Sequence, residues 1–404
     1  MKKIIVLSAI TSSMLLATNG DIMLRDGAKA SGMGGVGIAI SHGSESLYSN
    51  PAMIKDIKNS EFSGYLTMFQ PDVNAKTSFG QPTQAFGKSA ADQSFIPGFA
   101  YVHRNNENII WGISLAGTAG MGTDYKNNNG TAGAFQMETD LAIAKLSVPI
   151  AYTKNDFTIA VAPVLQYSTL QLNYQYQNSP TTFANSDNKK DSSVGLGLTA
   201  GLAYDLGNLT LGAEYKSEIE TTYKNNISSA IGHFGITSIS SGDQLDQPAE
   251  FGVGAAYKMD NSIVAIDLRR VNWGEVAGYK DFGWENQTVV AVGYEYATPE
   301  WAVRAGYNYG KSPITEQDGS NSNGAKINFF NLVGFPAMVE EHYTVGGDYT
   351  LSDNLMMSLA FVYTPETTEK FDISGMNPAA PADSLSAEVK HSQSAITVGA
   401  SYKF

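Results

Sequence analysis

The chain has no cysteine in 404 residues, only 16% charged residues and only five histidines. Without cysteine there is no disulfide scaffold, no cysteine-ligated zinc or iron–sulfur centre and no lipoprotein anchor. Basic residues are also scarce: 26 Lys and Arg against 39 Asp and Glu leave a formal charge of −13, which repels phosphate and argues against nucleic-acid binding. Long apolar runs are missing, since no segment after the N-terminal region holds the roughly 20 consecutive apolar residues of a helical membrane span. Disorder does not fit a chain that is 43% hydrophobic and 11% aromatic. What the chain does have is 40 glycines and 21 tyrosines at a mean hydropathy of −0.16. The length suits either two or three soluble domains or one large all-β domain, and the composition suits strands alternating apolar and polar residues.

Both ends of the chain carry address-like patterns. Lys2 and Lys3 precede an apolar stretch from Ile4 to Ala17, followed by Thr18-Asn19-Gly20. This predicts a secretory signal peptide over residues 1–20, cleaved after Ala17 or Gly20. At the other end, Ile396, Val398, Ala400, Tyr402 and Phe404 alternate with Thr397, Gly399, Ser401 and Lys403. A closing strand ending in an aromatic residue resembles the signal read by the outer-membrane barrel-assembly machinery.

The same period of two recurs along the chain. Leu209, Leu211, Ala213 and Tyr215 face away from Thr210, Gly212, Glu214 and Lys216; Trp301, Val303, Ala305 and Tyr307 do likewise. One face is lipid-like with aromatics near its ends, and the other is small or polar, as in transmembrane β-strands. About 14 such segments are predicted, near 61–70, 95–104, 108–117, 140–153, 156–170, 193–205, 208–220, 248–258, 261–272, 286–297, 300–310, 341–350, 353–364 and 391–404. Tight turns such as Lys154-Asn155, Leu206-Gly207 and Thr298-Pro299 alternate with long connections. That rhythm predicts an antiparallel up-and-down barrel over 61–404, with turns in the periplasm and loops outside.

Residues 21–60 precede the first strand. Gly32, Gly34 and Gly37 match G-x-G-x-x-G, but no apolar strand precedes them and no βαβ alternation follows, so a dinucleotide site is rejected. A glycine-rich run of this kind, including Gly35, packs closely against other backbone. The run followed by Asn50-Pro51-Ala52 resembles the N-terminal hatch of FadL/TodX-type outer-membrane transporters of long-chain fatty acids and other hydrophobic compounds. Val271-Asn-Trp273, Arg304-Ala-Gly-Tyr307-Asn-Tyr309 and the stretch from Phe335-Pro336 to His342-Tyr343-Thr-Val-Gly346 are similar to the same family, and the resemblance covers nearly the whole mature chain. It implies a 14-stranded barrel plugged by residues 21–60 in the outer membrane of a Gram-negative bacterium. It also implies a monomer that binds a hydrophobic substrate in a luminal pocket and releases it, sideways through the wall, when the hatch shifts. No cofactor is implied.

Two groups of residues are candidates for holding a substrate. The connection 311–340 carries Phe329, Phe330, Leu332, Val333, Phe335 and Met338, an apolar set that either binds cargo or packs into the barrel mouth. Phe135, Met137, Phe183, Ile231, Phe234 and Ile236 on other loops are weaker candidates. By strand parity Lys145, Glu214, Lys216, Glu250, Asp267, Arg269, Glu295, Arg304 and Asp348 face the lumen, where such charges usually pair. A carboxylate substrate needs a cation with a free position, which makes Lys145, Lys216, Arg269 and Arg304 the candidates. Against catalysis, Gly112-Ile-Ser114-Leu-Ala-Gly117 misses G-x-S-x-G by one residue, and His42, His103, His233, His342 and His391 lack metal-ligand spacing. A diffusion porin, or a barrel serving protein secretion or surface attachment, remain the alternatives.

Overall fold

Alternation along every long strand closes into a barrel in this computed structural model. It describes residues 18–404 apart from 79–84, 128–135, 180–181, 187, 238, 378, 380 and 382–383. The strands are β1 (Ser60–Ser78), β2 (Ser94–Arg104), β3 (Ile109–Asp124), β4 (Glu138–Ser147, resuming over Ile150–Lys154), β5 (Phe157–Asn173), β6 (Asp191–Leu206) and β7 (Leu209–Lys216). The second half comprises β8 (Glu250–Met259), β9 (Ser262–Val271), β10 (Gln287–Ala297), β11 (Trp301–Gly310), β12 (Glu341–Thr350), β13 (Leu355–Asp372) and β14 (Ser386–Lys403). Each pairs antiparallel with the next, and β14 closes on β1 from Ser386↔Ser78 to Lys403↔Glu61. Closure matters in a bilayer, because an open edge would leave backbone groups unpaired in hydrocarbon.

The two faces separate as the alternation demands. On β13, Leu359, Phe361 and Tyr363 face outward at 56, 41 and 48% exposure, whereas Ala360, Val362 and Thr364 are buried. Short turns carry positive-φ residues where the chain reverses: Asn155 (φ 53), Gly207 (φ 67) and Asp260 (φ 47).

Several strands depart from the predicted bounds for physical reasons. β1, β13 and β14 run well past 70, above 364 and below 391, because beyond the lipid neither face needs to be apolar and the alternation fades while the ladder continues. A register shift between Thr364 and Thr367 absorbs Pro365. β4 breaks at Val148-Pro149, since proline has no N–H for the ladder; its carbonyl accepts from Gly112 N at 3.0 Å. β7 stops at Lys216 rather than 220, where the chain turns into the lumen and Ile219 and Tyr223 become buried.

The segment before β1 fills the bore. Thr18–Asn19 pairs with Ile22–Met23, a short helix α1 (Ala28–Ser31) follows, and 3₁₀ turns cover Gly43–Tyr48 and Pro51–Asp56. Nearly every residue from Asn19 to Ile54 is buried because barrel wall surrounds it. Residues 1–17, most of the predicted signal peptide, lie outside the described residues, as does Phe135. At the extracellular end, α2 (Ile227–Phe234) and α3 (Ser322–Phe329), the latter continuing as a wide turn over Phe330–Gly334, fold down over the mouth.

Candidate luminal binding site

Hydrogen bonds and ion pairs seat the N-terminal segment against the inner wall. Asn50 caps the following turn by accepting from Ala52 N at 3.0 Å, and its amide donates to Ile38 O at 2.7 Å and to Leu202 O of β6 at 2.9 Å. Pro51 suits the first position of that turn, where no N–H is needed, and Ala52 lies against the inner face of β6. Asp267 of β9 accepts from Gly37 N and Ile38 N at 2.7 and 3.0 Å. Arg25 pairs with Glu214 of β7, and Lys55 pairs with Asp205 at 2.6 Å. Gly32 lies against Gly346, and Gly35 against Leu24. Gly34 has φ +71; its N–H donates to Thr344 Oγ1 at 2.7 Å, and its carbonyl accepts from Asn308. An added Cβ there would lie 2.7 Å from Val292 O, so only glycine fits without displacement.

The first residues of the segment join three parts of the barrel. Tyr279 OH donates to the Asp21 carboxylate, Gln247 Nε2 donates to it at 3.1 Å, and Gly120 N of β3 donates to Asp21 O at 2.9 Å. Burial pushes the Asp21 carboxyl up to about 6, against the two donors that favour its charge. Burial likewise raises Asp26, which accepts from Tyr65 OH at 2.9 Å, to about 6, and Glu45 to about 7. Gly20 rests on Trp273, which packs with Tyr279 and Trp284 at centroid distances of 4.7 and 5.2 Å. Val271-Asn-Trp273 thus supplies one wall of an aromatic cluster. The roles of Asp21, Gln247 and Tyr279 had no sequence signal, because their contacts cross more than 200 positions.

Three cavities follow one another down the lumen. The outermost, about 30 Å³, is almost wholly apolar and is lined by Met121, Leu170, Phe282, Trp284, Phe330 and Phe335 among others. Below it, beside the N-terminal segment, a cavity of about 70 Å³ carries Arg25, Asp26, Lys145, Lys216, Glu250 and Arg269 among apolar neighbours. A vestibule of about 720 Å³ opens at the periplasmic end, with Lys29, Lys258, Glu295, Arg304, Asp348 and Lys403 on its walls beside apolar residues such as Trp301 and Met356.

The predicted substrate residues divide among these. Phe330 and Phe335 line the apolar cavity, whereas Phe329, Leu332, Val333 and Met338 are fully buried in the packing around it. Phe234 of α2 holds Phe330 edge-on at 5.4 Å and stacks on Phe329 at 5.5 Å. Ile231 and Ile236 share that packing, as does Met137. Arg269 pairs with Glu250 at 3.2 Å; Arg304 pairs with Glu295 and Asp348 at 2.6 and 2.7 Å and belongs to the vestibule. Lys216 reaches Glu250 only at 3.5 Å. Lys145 has no carboxylate within ion-pair distance among the described residues. Parity could show that these cations face inward, but not which had a partner.

A closed, lipid-facing barrel of 14 antiparallel strands with its bore filled by its own N-terminus defines an outer-membrane protein of a Gram-negative bacterium. Residues 27–404 match the family model described as outer membrane protein transport protein (OMPP1/FadL/TodX), and the chain belongs to that family. It is 24% identical to the long-chain fatty acid transport protein of Escherichia coli O6:H1 over 330 residues, 68% of this chain and 73% of that protein. The counterpart in E. coli K12 is 23% identical over 340 residues, 70% and 76% of the two chains. Among solved structures, a Pseudomonas aeruginosa FadL homologue superposes with a TM-score of 0.71 at 15% identity, covering 95% of this chain and all of that one. The P. putida toluene transporter TodX superposes at 0.69 and 19% identity, covering 94% and 99%.

Proposed function

We propose that the protein takes up hydrophobic compounds such as long-chain fatty acids across the outer membrane, without chemistry of its own. The apolar cavity at the extracellular mouth carries this reading: nearly all of its lining is hydrocarbon or aromatic. A molecule entering it gains about 25 cal/mol per Å² of apolar surface removed from water. A porin needs the opposite, a wide polar bore, and here the N-terminal segment occupies the bore.

Residues 21–60 act as the hatch. The substrate moves from the apolar cavity to the charged one, where Lys145 is free to take a carboxylate. Axial exit is less favourable, because the vestibule below sets apolar residues such as Trp301 and Met356 among charged ones, including Lys29, Lys258, Glu295, Arg304 and Asp348. An irregularity in the wall supports sideways exit instead. The β2–β3 ladder stops at Gly98↔Ala116, while β3 continues with β4 past a shift at Gly117/Ala119 and its Ala119 bridges to Ile22 of the hatch. Ser114, Ala116 and Thr118 line the charged cavity at that point. Displacing the Ile22 strand opens the cavity toward the lipid between β2 and β3.

The test is uptake of radiolabelled oleate by a strain lacking its own transporter, with and without this protein, alongside mass spectrometry of apolar molecules that co-purify. Accelerated uptake and a bound apolar ligand are expected. A large, steady ion conductance in planar bilayers with no oleate uptake would establish the porin instead, and recovery of a bound secreted polypeptide would favour the secretion reading.

A further inference from the structure

The barrel wall has a second irregularity, between β6 and β7. Their ladder runs from Leu206↔Leu209 up to Thr199↔Lys216 and then ends. One more pair of contacts follows, with Ser217 N donating to Leu198 O at 2.8 Å and Leu198 N donating to Ser217 Oγ at 2.9 Å. The next tie is Thr222 N to Ser193 Oγ at 3.0 Å. Between these ties the backbone of Val194 and Leu196 points toward β7, by the alternation that aims Leu198 that way, and meets no partner among the described residues. The result is a window framed by Ser193–Leu198 and Ser217–Thr222.

Its two sides differ. Outside, Leu196 and Val194 are 76 and 62% exposed to the membrane face. Inside, Ile219 is the main cover: its side chain lies directly on Gly195 and Gly197, where a Cβ would meet it at 2.4 and 2.6 Å, with Glu220 O and Thr221 Cγ2 beside it on Gly195. The charged cavity reaches this point, since Leu198, Ser217, Ile219 and Pro248 are among its lining. From Gly207 to Leu198 the strand climbs about 30 Å, or about 23 Å along the axis at the usual tilt, so the window lies at the outer rim of the apolar band. Unpaired backbone is tolerated there where it would not be at mid-membrane.

The same level of the barrel holds the free cation. Lys145, Gln166 and Gly195 are successive partners across β4, β5 and β6, about 10 Å from end to end. Gln166 is fully buried, and neither atom of its amide has a partner among the described residues. A buried amide without a partner beside a half-buried ammonium without an ion pair calls for a polar group at that level. The cavity itself has room for only about five water molecules, too little for a whole long chain.

We infer that the cavity holds an anionic single-chain amphiphile, its head group between Lys145 and Gln166 and its chain leaving the lumen through the β6–β7 window past Ile219. This rests on the transport reading, from which it takes the substrate class, and adds the second opening. A neutral aromatic compound has neither the charge nor the length to use both ends of this arrangement.

The test is photolabelling of the purified protein in detergent with hexadecanoate carrying a diazirine at its methyl end. Label is expected on 193–198 and 217–222. Ile219→Trp, which fills the window, is expected to weaken hexadecanoate binding about tenfold while leaving octanoate within about twofold. Because the chain has no cysteine, Ser193→Cys with Thr222→Cys gives a reversible version. Oxidation pins the Ile219 segment to β6 and should block the long chain, and reduction of the same sample should restore it. Distal label confined to other segments, or hexadecanoate binding untouched by both variants, overturns the window while leaving transport standing. No saturable binding of either fatty acid overturns the transport reading as well.

Discussion

Replacing Gly34 with alanine should unseat the hatch. The backbone there is left-handed, at φ +71, which costs an L-residue about 1–2 kcal/mol. The new Cβ would lie 2.7 Å from Val292 O and 2.9 Å from the backbone N and O of Tyr307, all in rigid strand, so the loop must retreat. Retreat breaks the bond from Gly34 N to Thr344 Oγ1 and the one from Asn308 to Gly34 O, at about 1 kcal/mol each. Together these amount to about 3–4 kcal/mol, which lowers the seated-to-unseated ratio by a factor of several hundred. The barrel does not depend on this loop for its ladder, so folding should survive. The assay is single-channel recording in planar bilayers, supported by sensitivity of expressing cells to a bulky hydrophilic antibiotic. Frequent conducting openings and sensitised cells are expected for Gly34→Ala, and quiet traces for the wild type. A variant that folds and stays as quiet as the wild type would refute the claim that this glycine holds the bore shut.

Three further outcomes follow from the site. Lys145→Gln should weaken binding of a carboxylate ligand about tenfold with little change in thermal stability, whereas Arg304→Gln should destabilise the barrel by about 3–5 kcal/mol, because it strands Glu295 and Asp348 against each other; isothermal binding and heat-modified gel mobility separate the two. Asp21 has its folded pKa raised above the ordinary value to about 6, so its contribution to hatch seating is complete below the ordinary 3.8 and is lost as pH rises through about 6. Protection factors of residues 18–26, taken relative to the intrinsic exchange rate at each pH, should therefore fall between pH 5 and 8, and Asp21→Asn should flatten that trend. Thr18–Asn19 pairs with Ile22–Met23 and Asn19 is fully buried, so N-terminal sequencing should find the mature chain beginning at Thr18, with cleavage after Ala17 rather than Gly20.

Much of the barrel is written in a period of two, because each spanning strand meets lipid on one side and the lumen on the other. Where that contrast ends, legibility ends. The outer reaches of β13 carry Glu366 and Lys370 in solvent around a half-buried Glu369, and nothing in their order distinguishes strand from loop. The turn of the chain into the lumen after Lys216 was equally hidden, since Ile219 and Thr221 continue the alternation of β7 while leaving its plane. Asn50-Pro51-Ala52 is legible for a different reason: a cap, a proline at the first helical position and a small residue form a local device, so sequence neighbours suffice. The substrate cations were not legible in the same way. Arg304 and Lys145 both alternate inward, yet one sits between two carboxylates and the other has none within ion-pair distance among the described residues, which depends on what neighbouring strands bring across.

The hatch leads into β1 at Ser60, the strand whose pairing with β14 closes the cylinder. The inner-wall residues that tie the segment down, Leu202, Asp205 and Glu214, are ones that would otherwise face an open bore. The stopper is thus leashed to the strand at which the cylinder joins itself, so a segment pulled from its seat stays attached beside that seam.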